Sequence, residues 1–124
     1  MINNKIFQKI LDRIIGFFPA DWQRVVFYLE YGEASYSAAF YVKNGDSYVN
    51  CFELPNVTED ELYSAFDEID EFVSEERSKS DEDKWTNMTM CVDCTGKMLT
   101  DFDYSDLAEN SYEYEQSWKK KYLQ

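Results

Sequence analysis

Residues 23–52 read QRVVFYLEYGEASYSAAFYVKNGDSYVNCF, and their alternation decides the fold. Val25, Phe27, Leu29 and Tyr31 share one parity; Tyr36, Ala38, Phe40 and Val42 repeat it beyond Gly32. A period of two is the signature of a strand with one face in the core. Lys43-Asn44-Gly45-Asp46 carries an Asn-Gly pair, a strong signal for a tight hairpin. Tyr48, Asn50 and Phe52 against Val49 and Cys51 predict a third strand. Connections this short suit antiparallel neighbours, because parallel pairing needs a crossover of about a dozen residues or more.

Helices are expected on either side of this meander. Over residues 4–18, Ile6, Ile10, Leu11, Ile14 and Phe17 or Phe18 recur at three- and four-residue spacing, and Pro19 closes the segment. Lys5, Lys9 and Arg13 form its other side, a basic stripe that either faces solvent or neutralises an acidic neighbour. Thr58-Glu59-Asp60-Glu61 is a capping box, with Val57 and Leu62 at the positions of a hydrophobic staple. Leu62, Ala65, Phe66, Ile69, Phe72 and Val73 then trace one apolar stripe. Ser64, Asp67, Glu68, Glu71 and Glu75 occupy the opposite face. Like charges at that spacing cost helix stability, so a chain that keeps them has a use for the face or only a solvated surface there.

Residues 78–84 read as a polar linker. Residues 85–93 predict a strand with Met88, Met90 and Val92 on one face, and Thr95-Gly96-Lys97 turns the chain. Residues 98–104 return with Phe102 and Tyr104 on one side and Asp101 and Asp103 on the other. Tyr114, Trp118 and Tyr122 repeat at i+4 and predict a final amphipathic helix, with Lys119, Lys120 and Lys121 at its negative dipole end. The expected fold is therefore a single α+β domain over residues 1–124. An antiparallel sheet of about five strands packs against helices in the order α-β-β-β-α-β-β-α.

Charge limits the function classes. Twenty-five acids against 12 bases leave a net charge of −13, and there is no histidine. Nine acids and no base lie between Glu59 and Glu76; six acids and no base lie between Asp101 and Glu115. Such a chain repels phosphate backbones, which are gripped by Lys and Arg. Aromatic residues make up 18% of it, too many for a disordered acidic tail, so the charge sits on a folded object. It favours solubility and fast capture of a basic partner.

Chemistry is sparse. General acid–base catalysis usually recruits His, and the four glycines are isolated rather than gathered in a phosphate loop. Asp101, Asp103, Ser105 and Asp106 form an acidic run, but without the Gly and distal Glu of a calcium loop. Cys91-x-x-Cys94 straddles a strand end and a turn rather than a helix N-terminus, and Cys51 adds only one further thiol to a site needing about four ligands. Neither catalysis, a metal nor a cofactor is expected. Trp22, Trp85 and Trp118 read either as half-buried core or as interface anchors, Trp118 most evenly between the two. The N-terminal residues lack the apolar run of a signal peptide and no segment reaches spanning length, so a cytoplasmic location is expected, with neither membrane nor nucleic acid as partner.

Taken in order, Pro19-x-x-Trp22, the aromatic strands, the acidic helix, Trp85-Thr86-Asn87-x-Thr89, Gly96-Lys97 and Asp101-Phe102-Asp103-Tyr104-x-Asp106 resemble the YezG-like family of bacterial immunity proteins. That family includes the antitoxin of a staphylococcal type VII secreted nuclease. The resemblance runs from about residue 5 to 118, and the chain is expected to end earlier than many members. It implies a small cytoplasmic, non-enzymatic protein that neutralises a nuclease toxin domain, often one carried by an LXG-type secreted protein. It leaves Trp22, Trp85, Gly96, Phe102, Tyr104 and Asp106 mostly structural.

The expected function is stoichiometric toxin binding, with an acidic adaptor or chaperone-like module for another basic protein as the alternative. The expected partner surface is Asp60, Asp67, Glu68, Glu71 and Glu75, joined by Asp101, Asp103 and Asp106. Tyr114 and Trp118 are the aromatic anchors next in line.

Overall fold

The computed structural model describes residues 5–32, 35–79, 84–104 and 111–123. Its elements are α1 (Lys5–Ile14), β1 (Arg24–Tyr31), β2 (Tyr36–Asn44), β3 (Ser47–Asn50), α2 (Glu59–Ser78), β4 (Asn87–Asp93), β5 (Met98–Asp103) and α3 (Ser111–Tyr122). Short 3-10 turns at Ile15–Phe17 and Cys51–Glu53 complete the order. The five strands form one sheet, β3-β2-β1-β4-β5, in which every neighbouring pair is antiparallel. This is the α+β architecture and the element order that the sequence predicts.

β1 lies at the centre, and its burial explains the layers. Val25, Phe27, Leu29 and Tyr31 enter the main core with Ile6, Phe7, Ile10 and Ile14 of α1 and Leu62, Phe66, Ile69 and Val73 of α2. Val26 and Tyr28, of opposite parity, are buried as well, against Cys91 and Trp118. The sheet is thus covered twice: α1 and α2 lie on one face and α3 on the other. Alternation captured one face of β1; the unbroken apolar run from Val25 to Leu29 is the mark of a strand covered on both.

Two local readings are corrected. The first helix stops at Ile14 rather than residue 18, and residues 15–17 tighten into a 3-10 turn. Gly16 is a poor helix former, and the break aims Phe17 and Phe18 at Phe40, with ring centroids 6.3 and 5.6 Å away. The third strand ends at Asn50, whose side chain accepts from the Phe52 N–H and caps the 3-10 turn that follows. The tight hairpin signalled by Asn-Gly is found: Asn44 pairs with Ser47, so Gly45 and Asp46 are its two turn residues. Gly45 meets the backbone demand there with φ +84°.

A buried polar network fastens α3. The Trp118 indole N–H donates to Thr89 Oγ1 at 2.8 Å, and the Thr89 hydroxyl donates to Asn87 Oδ1 at 3.1 Å. Asn87 Nδ2 donates to the Leu29 carbonyl at 3.2 Å, across to β1. Tyr114 OH lies 3.1 Å from both Asn87 Oδ1 and Asp103 Oδ2. Asn87 and Thr89 are buried, and each has its polar atoms matched, as a low-dielectric site demands.

Candidate functional site

α2 presents the acidic face because both its ends and its stripe are fixed by local sequence. Thr58 Oγ1 accepts from the Glu61 N–H at 3.2 Å, and Glu61 Oε1 accepts from the Thr58 N–H at 3.3 Å, closing the capping box. Burial of Leu62, Ala65, Phe66, Ile69 and Val73 turns Asp60, Asp67, Glu68, Glu71 and Glu75 into solvent. Nine acids stand on this helix against one base, Arg77.

The chain's own cations are drawn inward from that face. Arg13 of α1 grips Glu68 through Nε at 2.5 Å and Nη2 at 3.3 Å. That bond holds the Glu68 carboxyl below its ordinary value. Lys9 Nζ lies 5.2 Å from the Phe72 ring centre. The basic stripe of α1 is therefore directed at α2, one of the two readings its sequence allowed. Arg77 sits over Tyr31 and Trp85 and donates to the Trp85 carbonyl at 2.7 Å. Lys79 approaches Glu76 and Glu75 at 3.3 and 3.9 Å. Among the described residues, the carboxylates of Asp60 and Glu71 have no hydrogen bond or ion pair.

Tyrosines partner many of the remaining acids. Five tyrosine hydroxyls donate to carboxylates among the described residues: Tyr28 to Glu30, Tyr31 to Asp70, Tyr36 to Asp67, Tyr114 to Asp103 and Tyr122 to Asp101. Burial, and then these carboxylates, push all five phenols above their ordinary range. The carboxylates keep spare lone pairs, since each can accept about four hydrogen bonds.

The predicted residues do not form one patch. Asp101 and Asp103 point to the α3 side of the sheet, where their partners Tyr122 and Tyr114 sit, while the α2 acids lie beyond the opposite face. Asp101, Asp103, Tyr114, Trp118, Lys121 and Tyr122 line a groove of about 220 Å³ between β5 and α3. Trp118 is buried, its ring 4.7 Å from Tyr28 and 5.6 Å from Tyr41, so it contributes to this groove from within. Asp106 lies outside the described residues. Trp85 is buried, and Trp22 is half-buried against Phe18.

Sequence reading passed over an exposed aromatic pair beside α2. Tyr63 and Phe52 are 53% and 37% exposed, with ring centroids 5.5 Å apart. The spacing Asp60, Tyr63, Asp67, Glu71 was the available signal, because it puts an aromatic residue inside the acidic stripe. The thiols Cys51, Cys91 and Cys94 are free. Among the described residues, no group of three or more His, Cys, Asp or Glu could hold a metal ion, and no helix is long and apolar enough to cross a membrane.

Residues 3–124 match the profile of the family described as immunity protein YezG-like. The chain belongs to that family. It is 29% identical to the immunity protein YezG of Bacillus spizizenii strain W23, over 82% of this chain and 68% of that protein. It is 24% identical to the immunity protein YezG of Bacillus subtilis strain 168, over 95% of this chain and 85% of that protein. Membership makes the chain an immunity-type binding protein.

Proposed function

We propose that this chain is the cytoplasmic immunity protein of a secreted toxin, neutralising a nuclease-like domain by stoichiometric binding through its acidic surfaces. One observation supports the reading above all: α2 holds nine acids to one base, and Asp60, Asp67, Glu71 and Glu75 face solvent on it. A domain that cleaves nucleic acid needs a cationic cleft for its polyanionic substrate. An acidic inhibitor is steered to such a cleft at association rates well above those of neutral pairs. The α2 face is the primary contact in this reading. Asp101, Asp103, Tyr114 and Trp118 around α3 supply a second contact on the far side of the sheet, and Asp106 is assigned to the partner surface from the sequence alone. The toxin is of the type VII-secreted, LXG-bearing class, and its gene lies beside that of this chain.

The test is survival. Cells expressing the toxin domain from the neighbouring gene are expected to live when this chain is co-expressed and to die without it. Equal killing in both cultures removes the immunity reading. Survival that persists when a toxin already known to be inactive is replaced by an unrelated basic protein of no toxicity carries no weight, so the active domain is the one compared.

A further inference from the structure

The exposed pair Tyr63–Phe52 has a setting that the acids alone do not explain. Tyr63 lies on the acidic stripe of α2, with Glu59 one turn before it and Asp67 one turn after. Phe52 bridges it to the core: its ring is 5.5 Å from Tyr63 and 6.3 Å from Phe66, which is buried. The pair is therefore held in place before any partner arrives, which lowers the ordering cost of binding. Large aromatic rings so held are the residues that dominate interface energetics.

The chain also stacks its own cations on other rings. Lys9 lies over Phe72, Lys43 over Tyr48, Arg77 over Tyr31 and Trp85, and Lys121 over Tyr122. Among the described residues, none covers Tyr63 or Phe52, although Tyr63 stands between Asp60 and Asp67 on the acidic helix. An aromatic face with carboxylates beside it along the helix fits a guanidinium, whose plane stacks on the ring while its N–H groups reach outward to carboxylates. Asp60 is free to accept them, and Asp67 retains acceptor capacity beside its bond from Tyr36.

We propose that Tyr63 and Phe52 are the anchor of the α2 face, taking an arginine from a protrusion of the basic protein partner. The inference rests on the immunity reading and assigns it a contact point. The acids then govern encounter, and the aromatic pair governs residence.

Surface plasmon resonance against the toxin domain encoded beside this chain tests the division. Tyr63→Ala is expected to speed dissociation about fivefold or more with association within about twofold of the unmodified chain. Tyr63→Leu, which restores apolar area without a π face, is expected to dissociate as fast as Tyr63→Ala. A smaller increase for Tyr63→Ala or full recovery in Tyr63→Leu overturns the anchor while leaving the immunity reading intact. Absence of binding by the unmodified chain removes that reading, and the anchor with it.

Discussion

Trp118→Ala is expected to release α3 from the sheet while the rest of the fold stands. The indole is 4% exposed, packs against Tyr28, Tyr41 and Tyr122, and donates to Thr89 at 2.8 Å. Truncating a buried Trp to Ala costs about 3–5 kcal/mol. A domain of this kind has a total stability of about 5–15 kcal/mol, so the loss is large without being fatal to the whole. It falls on one element because α3, 12 residues long, is marginal as an isolated helix and is held by its contacts with Val26, Tyr28 and Cys91. Hydrogen exchange on the native protein reads this directly. At about 1.4 kcal/mol per tenfold, α3 amides are expected to lose roughly two to four orders of magnitude of protection, with β1 and β4 losing far less. Trp118→Phe separates the two components: it keeps most of the packing and removes the N–H, at a cost of about 1–2 kcal/mol. Protection of α3 within about tenfold of the unmodified protein in Trp118→Ala rules out Trp118 as the fastening of α3, as does an equal loss across β1 and β4.

Neutralising Asp60, Glu71 and Glu75 together, to Asn, Gln and Gln, is expected to slow association with the toxin domain about tenfold at low salt and to flatten its dependence on ionic strength. Stopped-flow association rates across a salt series check this, and an unchanged slope moves the encounter surface away from α2. Stability is expected to fall steeply in alkali. Burial pushes the Cys51 thiol up to about 11 from an ordinary value of 9.0, and burial with carboxylate contact raises Tyr28, Tyr31, Tyr36, Tyr114 and Tyr122 above 10.0. The folded state then holds protons that the unfolded state releases. Their stabilising contribution is whole below about pH 9 and is lost as pH rises, at about 1.4 kcal/mol per pH unit for the thiol between pH 9 and 11. A tyrosinate absorbance titration followed alongside circular dichroism is expected to show these phenols ionising together with unfolding; their ionisation near pH 10 in a protein that stays folded contradicts the structure.

How legible the fold was depended on whether the determining contacts are local. The capping box at Thr58, the α2 stripe and the alternation in β1 and β2 are set by residues within a few positions of each other, and all are found. The two-sided cover of β1 was written in Val25–Leu29 as a continuous apolar run, but periodicity isolates only one face. The i+4 spacing of Tyr114, Trp118 and Tyr122 specified an amphipathic helix without saying which face of the sheet it covers, because that follows from Thr89 and Asn87 far away in sequence. The candidate site was less legible for the same reason. Asp67 and Asp70 find their tyrosines 31 and 39 residues away, so no local pattern distinguishes a paired acid from an open one. Asp101 and the α2 acids shared a charge, but the sheet lies between them.

In the proposed function the chain neutralises its toxin by occupying it, one molecule on one. Nuclease activity of the toxin domain encoded beside this chain, titrated with the purified protein at concentrations far above the dissociation constant, measures that stoichiometry. Activity is expected to fall linearly to near zero at one equivalent and to remain there. Full activity in excess of the chain, or complete loss at a small fraction of an equivalent with the toxin chemically altered, contradicts it.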